Sequence, residues 1–478
     1  MRKLYLLTVL FFKINSNQAQ DANYWSCSYG PGSFVVPGAT IARNGDSGVL
    51  FYNPALLAYN TKNAASVSGS IYNYQSIKIK NGAGTGLSLN STNTSIVPVI
   101  ASNTIYLNLK GKPITIAWAL LNNPVMNFST TQRRDDKLNV LDDSYSPGPE
   151  NFIGQYTHSN SSSETAGILA FGTTISPKVA AGISFTLQSR SQTFLTDSRS
   201  RALINSNDEL FQKLVTVSEY YLAGSTNINL GIKAGLSFDI APNQNIGIVV
   251  SSPFMHLYGK AELYSDFIVN NLKLGPLDLF LLANTKQSSL KSKWKMPLSA
   301  AAGYSYNFGK GHLYLATEYF TKVKEYNLIT PNKEYFIRPD TGNNNLYTPD
   351  LLRLKDARKS IINFSAAISY NLTETITGYC SIRTDYNYGG YQQYQNDDGY
   401  IGATAAWNQY HLNLGANFRK RNFNLRAALL LTHGTTGNYK QRVNYDNPNE
   451  NNVLVGDIGL TRARRSNTGL MLTYIHNL

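Results

Sequence analysis

The stretch Ile228-Asn-Leu-Gly-Ile-Lys-Ala-Gly-Leu-Ser-Phe-Asp-Ile240 alternates without a break. Ile228, Leu230, Ile232, Ala234, Leu236, Phe238 and Ile240 share one face of an extended chain, and Asn229, Gly231, Lys233, Gly235, Ser237 and Asp239 share the other. Successive side chains of a strand point to opposite faces, so this period of two describes a sheet with one apolar and one polar side. "ASVSGSI" from Ala65, "VAAGISFTLQSR" from Val179, "HLNLGANF" from His411 and "FNLRAALLLT" from Phe423 repeat it. No sustained helical period competes beyond residue 65.

Two kinds of connection join these strands. Tight ones, rich in turn formers, fall at 110–113, 176–178, 241–244, 307–310, 371–374 and 419–422. Longer polar stretches lie near 80–94, 124–163, 195–212, 262–288, 324–360, 389–399 and 435–464. Six turns and seven loops join fourteen strands, an even number that closes a sheet with both ends on one side. Short turns on one side, long loops on the other and strands of about 9 to 11 residues that are apolar outside and polar inside are the pattern of an outer-membrane barrel. Propellers and tandem sandwiches bury both faces of stacked sheets, whereas one face here carries Ser, Thr, Asn, Lys and Arg in strand after strand. The expected fold is all-β: a 14-stranded antiparallel transmembrane barrel.

Composition agrees. Of 478 residues only 15% are charged, with 32 Tyr and 36 Gly, and the 42% hydrophobic residues include no run long enough for a membrane helix. Residues 1–20 resemble a secretory leader: Arg2 and Lys3, an apolar Leu4 to Phe12, then a polar tail, with cleavage expected near Ala19 or Gln20. Losing Arg2, Lys3 and Lys13 takes the formal charge from +14 to +11. The remaining Lys and Arg are scattered along strands, which argues against nucleic acid and for anionic lipid head groups or acidic ligands. Cys27 and Cys380 are expected as free thiols, because they fall in a plug segment and on an outward strand position.

The segment before the first strand, "NGDSGVLFYNPALLAYN" at 44–60, reads as a turn, a short apolar piece and one helical turn. Asn53 accepts from the first turn's amides, and Pro54 fits the first helical position, where no N–H is needed. "GATIARNGDSGVLFYNPALLAYN" followed by "AASVSGSIYNY" resembles the start of the FadL family of outer-membrane transport proteins for long-chain fatty acids and other hydrophobic compounds. Asn53-Pro54-Ala55 carries most of the match, and "SSPFMHLYGKAEL" (251–263), "KMPLSAAAGYSYNF" and "ATEYF" are weaker echoes.

That resemblance implies a hatch, here 21–62, folded into the periplasmic half of a barrel spanning 63–478. It implies a hydrophobic ligand caught by outer loops, held in a lumenal pocket beside the hatch and released sideways at a kink in the third strand, for which Pro124 is the candidate. Tyr24, Trp25, Phe34, Val35 and Val36 of the hatch are candidate pocket residues, with core packing the plain alternative. Met126 and Phe128, with Val125, Arg133 and Arg134, suit an apolar tail and an acidic head, or simply an exposed loop. Strand parity turns Arg190, Lys233, Arg383 and Arg426 to the lumen, where each either meets a carboxylate ligand or pairs with an acid such as Asp239 or Glu318. Trp118, Trp294 and Trp407 suit interfacial girdles. "NTGLMLTY", with Asn467, Gly469, Leu472 and Tyr474, is similar to the terminal signals read by the barrel insertion machinery.

Passive uptake needs no cofactor. No phosphate-binding Gly-Lys-Ser/Thr loop or zinc-spaced His/Cys cluster is present, and the six histidines pair with no nucleophile, which leaves a hydrolase as the remote reading. The expected setting is a Gram-negative outer membrane, with its lipids and lipopolysaccharide as partners. The alternative is a FadL-like shuttle or accessory subunit of a secretion or assembly machine, as in PorV-like relatives, with loops 124–163 and 324–360 as docking surfaces.

Overall fold

The computed structural model describes residues 18–19, 22–25, 40–43, 48–60, 63–109, 112–205, 213–338, 346–390, 393–394 and 398–477. Fourteen antiparallel strands close the barrel. They are β1 (Ala64–Ile79), β2 (Leu89–Leu109), β3 (Lys112–Leu138), β4 (Glu150–Ser176), β5 (Val179–Leu203) and β6 (Leu214–Ala241). β7 comes in two pieces, Gln244–Ser251 and Met255–Leu274, as does β8, Leu277–Lys291 and Ser299–Asn307. β9 (Gly311–Phe320), β10 (Ile361–Asn371), β11 (Ile376–Asp385), β12 (Gln409–Arg419), β13 (Phe423–Lys440) and β14 (Leu460–Asn477) complete the wall. β14 closes on β1 from Ala64↔Asn477 to Ile79↔Ala463. Five of the tight turns fall where their residues place them, and the strands on either side of 110–111, which lie outside the described residues, pair from Leu109↔Lys112.

The long loops are a correction. β3 and β4 run to 27 residues each and β6 to 28, so most of 124–163 is strand, β5 carries the chain through 195–203, and 262–288 is a strand pair joined by a turn at Gly275. The reason lies in polarity. In the half nearer the tight turns the lumenal face is polar and the outer face apolar: Asn229 and Ser237 are buried while Leu236 and Ile240 are exposed. On the same parity of β6, the other half turns Val215, Val217 and Tyr221 inward. These pack with Phe152, Phe194, Leu263 and Phe267 on a second apolar core.

That core is completed by chain folded into the barrel mouth. Val323–Ile329 pairs antiparallel with Leu354–Arg358, which pairs parallel with Tyr400–Ala403. Of the described residues in 324–360, the strands within 324–329 and 354–358 thus form a lumenal cap rather than an outer docking loop, while Ile337–Arg338 pairs with Leu282 and Ala283 of the wall. Tyr221 Oη donates to the Leu352 carbonyl (3.0 Å), Gln192 Nε2 donates to the Gly402 carbonyl (3.0 Å), and the Tyr221 and Tyr400 rings stack at 3.6 Å. Gln18–Ala19, inside the expected leader, pairs parallel with the outer edge of this small sheet. Trp407 is buried in the same core, so it forms no girdle; Trp118 lies on the outer face of β3, 43% exposed.

At the opposite end the described plug segments sit flush on the wall. α1 (Val49–Tyr52) leads through Asn53 into a 3₁₀ turn, Pro54–Tyr59. Leu56 and Leu57 are fully buried against Ile100, Ala117, Leu121, Ile168 and Ala170 on the inner face of β2 to β4. Five lumenal glycines, Gly172, Gly182, Gly235, Gly247 and Gly303, make this possible. A Cβ on any of them would fall inside 3.0 Å of Ile41, Asn53, Pro54 or Ala55 or their neighbours. They form two cross-strand rows, Gly172↔Gly182↔Gly235 and Gly247↔Gly303, on five consecutive strands. A missing side chain is what lets two backbones approach so closely.

Candidate functional site

Asn53, fully buried, organises the floor of the lumen. Its Oδ1 accepts from the Ala55 amide (3.1 Å), capping the 3₁₀ turn, while Nδ2 donates to the carbonyls of Ile41 (2.7 Å) and Leu236 (3.2 Å). One side chain thus ties two plug segments to β6. Asn23 to Trp25 are tied on the other side. Asn23 Nδ2 donates to the Asp385 carbonyl (2.7 Å), the Trp25 amide to Asp385 Oδ1 (3.0 Å), and Trp25 Nε1 to Glu318 Oε2 (2.8 Å).

Between plug and cap lies a cavity of about 180 Å³. Tyr24, Trp25, Phe51 and Tyr52 form its floor, Leu121, Val125, Ala166 and Val249 its walls, and Trp294, Phe320 and Tyr388 its roof and far side. Tyr24 stacks between Phe320 (4.1 Å) and Tyr388 (4.4 Å). Burial pushes its phenol up to about 12, so the ring stays neutral at any physiological pH. Trp294 is 3% exposed and faces this space, which corrects the girdle expectation.

The charged groups in the cavity wall are engaged by the protein. Arg190 is ion-paired with Glu164, and its guanidinium lies 4.8 Å over the Trp294 ring. Lys233 Nζ donates to the Phe51 carbonyl and sits 4.5 Å over the Phe51 ring. Glu318 accepts from Trp25 and from Ser299 Oγ (2.7 Å), while Arg358 is held by Asp356 (3.2 Å) and lies 4.8 Å from the Tyr388 ring. Asp239 pairs with Arg43 (2.9 Å). Burying charges without partners is costly, and pairing them leaves aromatic faces as the accessible chemistry.

Of the residues singled out in the sequence, Tyr24, Trp25, Arg190, Lys233 and Arg383 come together on the cavity. Arg426 faces Asn417 (3.2 Å) and does not line it. Met126 and Phe128 are buried in the upper core, with Arg133 on Asp135 and Arg134 on Asp446, so that segment is wall rather than a ligand-catching loop. Phe34, Val35, Val36 and Cys27 lie outside the described residues; Cys380 is a half-buried free thiol. Leu472 and Tyr474 of the terminal motif face outward on β14, 37% and 46% exposed, beside β1. Phe51, Tyr52, Glu164 and Phe254 were missed; the short helix around Phe51 carried the only signal.

The wall is interrupted beside this cavity. β2 and β3 pair only as far as Ile100↔Leu121, although β2 continues along β1 and β3 along β4. Pro98 and Pro124 lie just past that last pair on facing edges, and neither has an amide to donate. Pro124 does not end β3; it makes a bulge against β4 before Met126. Leu121, Asn123 and Val125 line the cavity at this level.

Among solved structures the chain resembles a FadL homologue of Pseudomonas aeruginosa (11% identity, 95% of this chain and 100% of that one, TM-score 0.57). It has the fold of the FadL-type channels. The toluene transporter TodX of Pseudomonas putida aligns at 12% identity over 96% of this chain and 100% of its own, TM-score 0.58. The toluene transporter TbuX of Ralstonia pickettii aligns at 11% over 94% and 98%, TM-score 0.55. No protein-family model and no curated protein sequence matches the chain. The FadL-type fold thus accounts for barrel and plug together across nearly the whole length.

Proposed function

We propose that this FadL-type barrel is an outer-membrane channel for small, neutral hydrophobic molecules, which pass through the lumenal cavity and leave sideways between β2 and β3. The observation that carries this reading is the cavity: aromatic, with its charges internally engaged, and adjoining the seam where β2 and β3 stop pairing beyond Ile100↔Leu121. At about 180 Å³ it is close to the engineered apolar cavity of about 150 Å³ that takes up benzene. That size supports a single-ring guest over the long-chain fatty acid that the family resemblance implies. Its similarity in fold to toluene transporters points the same way. The plug of residues 21–62, including Asn53-Pro54-Ala55, then serves as the floor of the lumen, and the first 20 residues as the export leader.

The test is uptake of radiolabelled toluene by cells carrying the wild-type barrel or Ala166→Phe, which fills the cavity from β4. Uptake should fall about tenfold in the variant, with the folded barrel retained. Equal uptake by both proteins, or uptake of a long-chain fatty acid in place of toluene, would sink the proposal.

A further inference from the structure

β7 and β8 break at the same height. β7 is interrupted between Ser251 and Met255, β8 between Lys291 and Ser299, and each break holds a proline, Pro253 and Pro297. Between the pairs Ser251↔Ser299 and Lys260↔Lys291, the main-chain bonds joining the two strands are Phe254 N–H to Met296 O at 3.3 Å and Ser292 N–H to Gly259 O at 3.4 Å. The break opens outward as a recess of about 560 Å³.

The recess has an apolar base and a basic rim. Met255, Met296 and Leu298 line it, and the strands below the break carry the outward apolar residues Ile248, Val250 and Leu315 of the belt. Lys293, Lys295, Lys322 and Lys324 line it, and no Asp or Glu does. Glu325, adjacent in sequence, instead turns to Lys355 (3.5 Å). One step above, Lys260 and Lys291 are direct cross-strand partners and both are exposed. Like charges placed opposite each other destabilise a ladder, so the Lys260–Lys291 pair imposes a local cost that a bound anion would remove. With Lys293, Lys322 and Lys324 it makes five exposed lysines, Lys295 being half-buried over the Tyr326 ring. The recess sits at the upper edge of the apolar belt, the level at which outer-leaflet head groups meet a barrel wall.

We infer that this recess is a docking site for a phosphorylated lipid of the outer leaflet, with its phosphates on the lysine rim and its acyl chains against Met255 and Leu298, covering the interruption in the wall. The site is separate from the lumenal cavity, and Phe254, Met296 and Pro297 form the partition between the two.

Binding of diphosphorylated lipid A to the purified full-length barrel, read by native mass spectrometry, tests this. Dephosphorylated lipid A and inorganic phosphate are run alongside. Diphosphorylated lipid A should be retained and should weaken about tenfold in Lys291→Gln/Lys293→Gln/Lys322→Gln, with recovery in the corresponding arginine variant. The dephosphorylated lipid should bind the wild-type protein no better than the diphosphorylated lipid binds the glutamine variant. Should the triple variant fail to fold, Lys322→Gln alone, outside the barrel strands, and a salt titration of the wild type give the same reading, because binding must weaken with salt. Equal retention by wild type and variant overturns the site, and inorganic phosphate binding as tightly as the lipid overturns the lipid as its occupant.

Discussion

At the scale of single residues, polar side chains fix the lumen and aromatic ones furnish it. Asn53 is fully buried and makes three bonds to backbone groups, so Asn53→Ala should cost about 3 kcal/mol, seen as a lower urea midpoint. Glu164→Gln strands Arg190, which is 5% exposed, and should cost about 3 to 5 kcal/mol. Adding Arg190→Met should recover much of that loss, because the uncompensated charge goes with it. Tyr24 gives a pH signature. A phenol whose folded value is raised from 10.0 to about 12 contributes stability that is complete below pH 10 and is lost as pH rises through about 12. Plug release followed by Trp fluorescence should show that step in the wild type and lack it in Tyr24→Phe.

At the scale of elements, the strands were legible where the membrane imposes one polarity and illegible where the barrel leaves it. Ile228 to Ile240 alternates apolar-out because lipid lies outside and a polar lumen inside. On the same strand Val215, Val217 and Tyr221 alternate apolar-in because the cap fills the lumen and water surrounds the wall. Ser, Thr and Asn on the watered face gave those segments the composition of loops, so strands were read as connections. The cap itself, Val323–Ile329 with Leu354–Arg358, is two short strands stabilised by long-range pairing, which no local pattern announces. Asn53 and Pro54 were readable from their capping chemistry alone; the convergence of Phe51, Glu164 and Phe254 on one cavity depends on closure of the sheet. The seam between β2 and β3 also belongs to this scale. Pro98→Val with Pro124→Val returns an amide to each edge, so amide exchange over residues 122–128 should slow about tenfold and toluene uptake should drop with it.

For the whole molecule, plug and wall are joined only where the plug is laid against the lumen, while the wall is closed by its own ladder from β1 to β14. Deleting residues 21–60 should therefore leave a barrel that still migrates as a folded species in unheated gels, with single-channel conductance still held low by the cap that fills the other end of the lumen. The five glycines under the plug carry a further consequence. Four of them meet backbone or Cβ atoms and Gly235 meets the side chains of Asn53 and Pro54, so together they constrain the path of the plug and are indifferent to most of its other side chains. Tyr24, Phe51 and Tyr52 can be exchanged over evolutionary time, or by an engineer seeking a new guest, without disturbing the seat. A change at Gly182 or Gly235 spoils the fit for every guest alike. The molecule thus separates what it must inherit unchanged from what it is free to vary, and places the two within one side chain's length of each other.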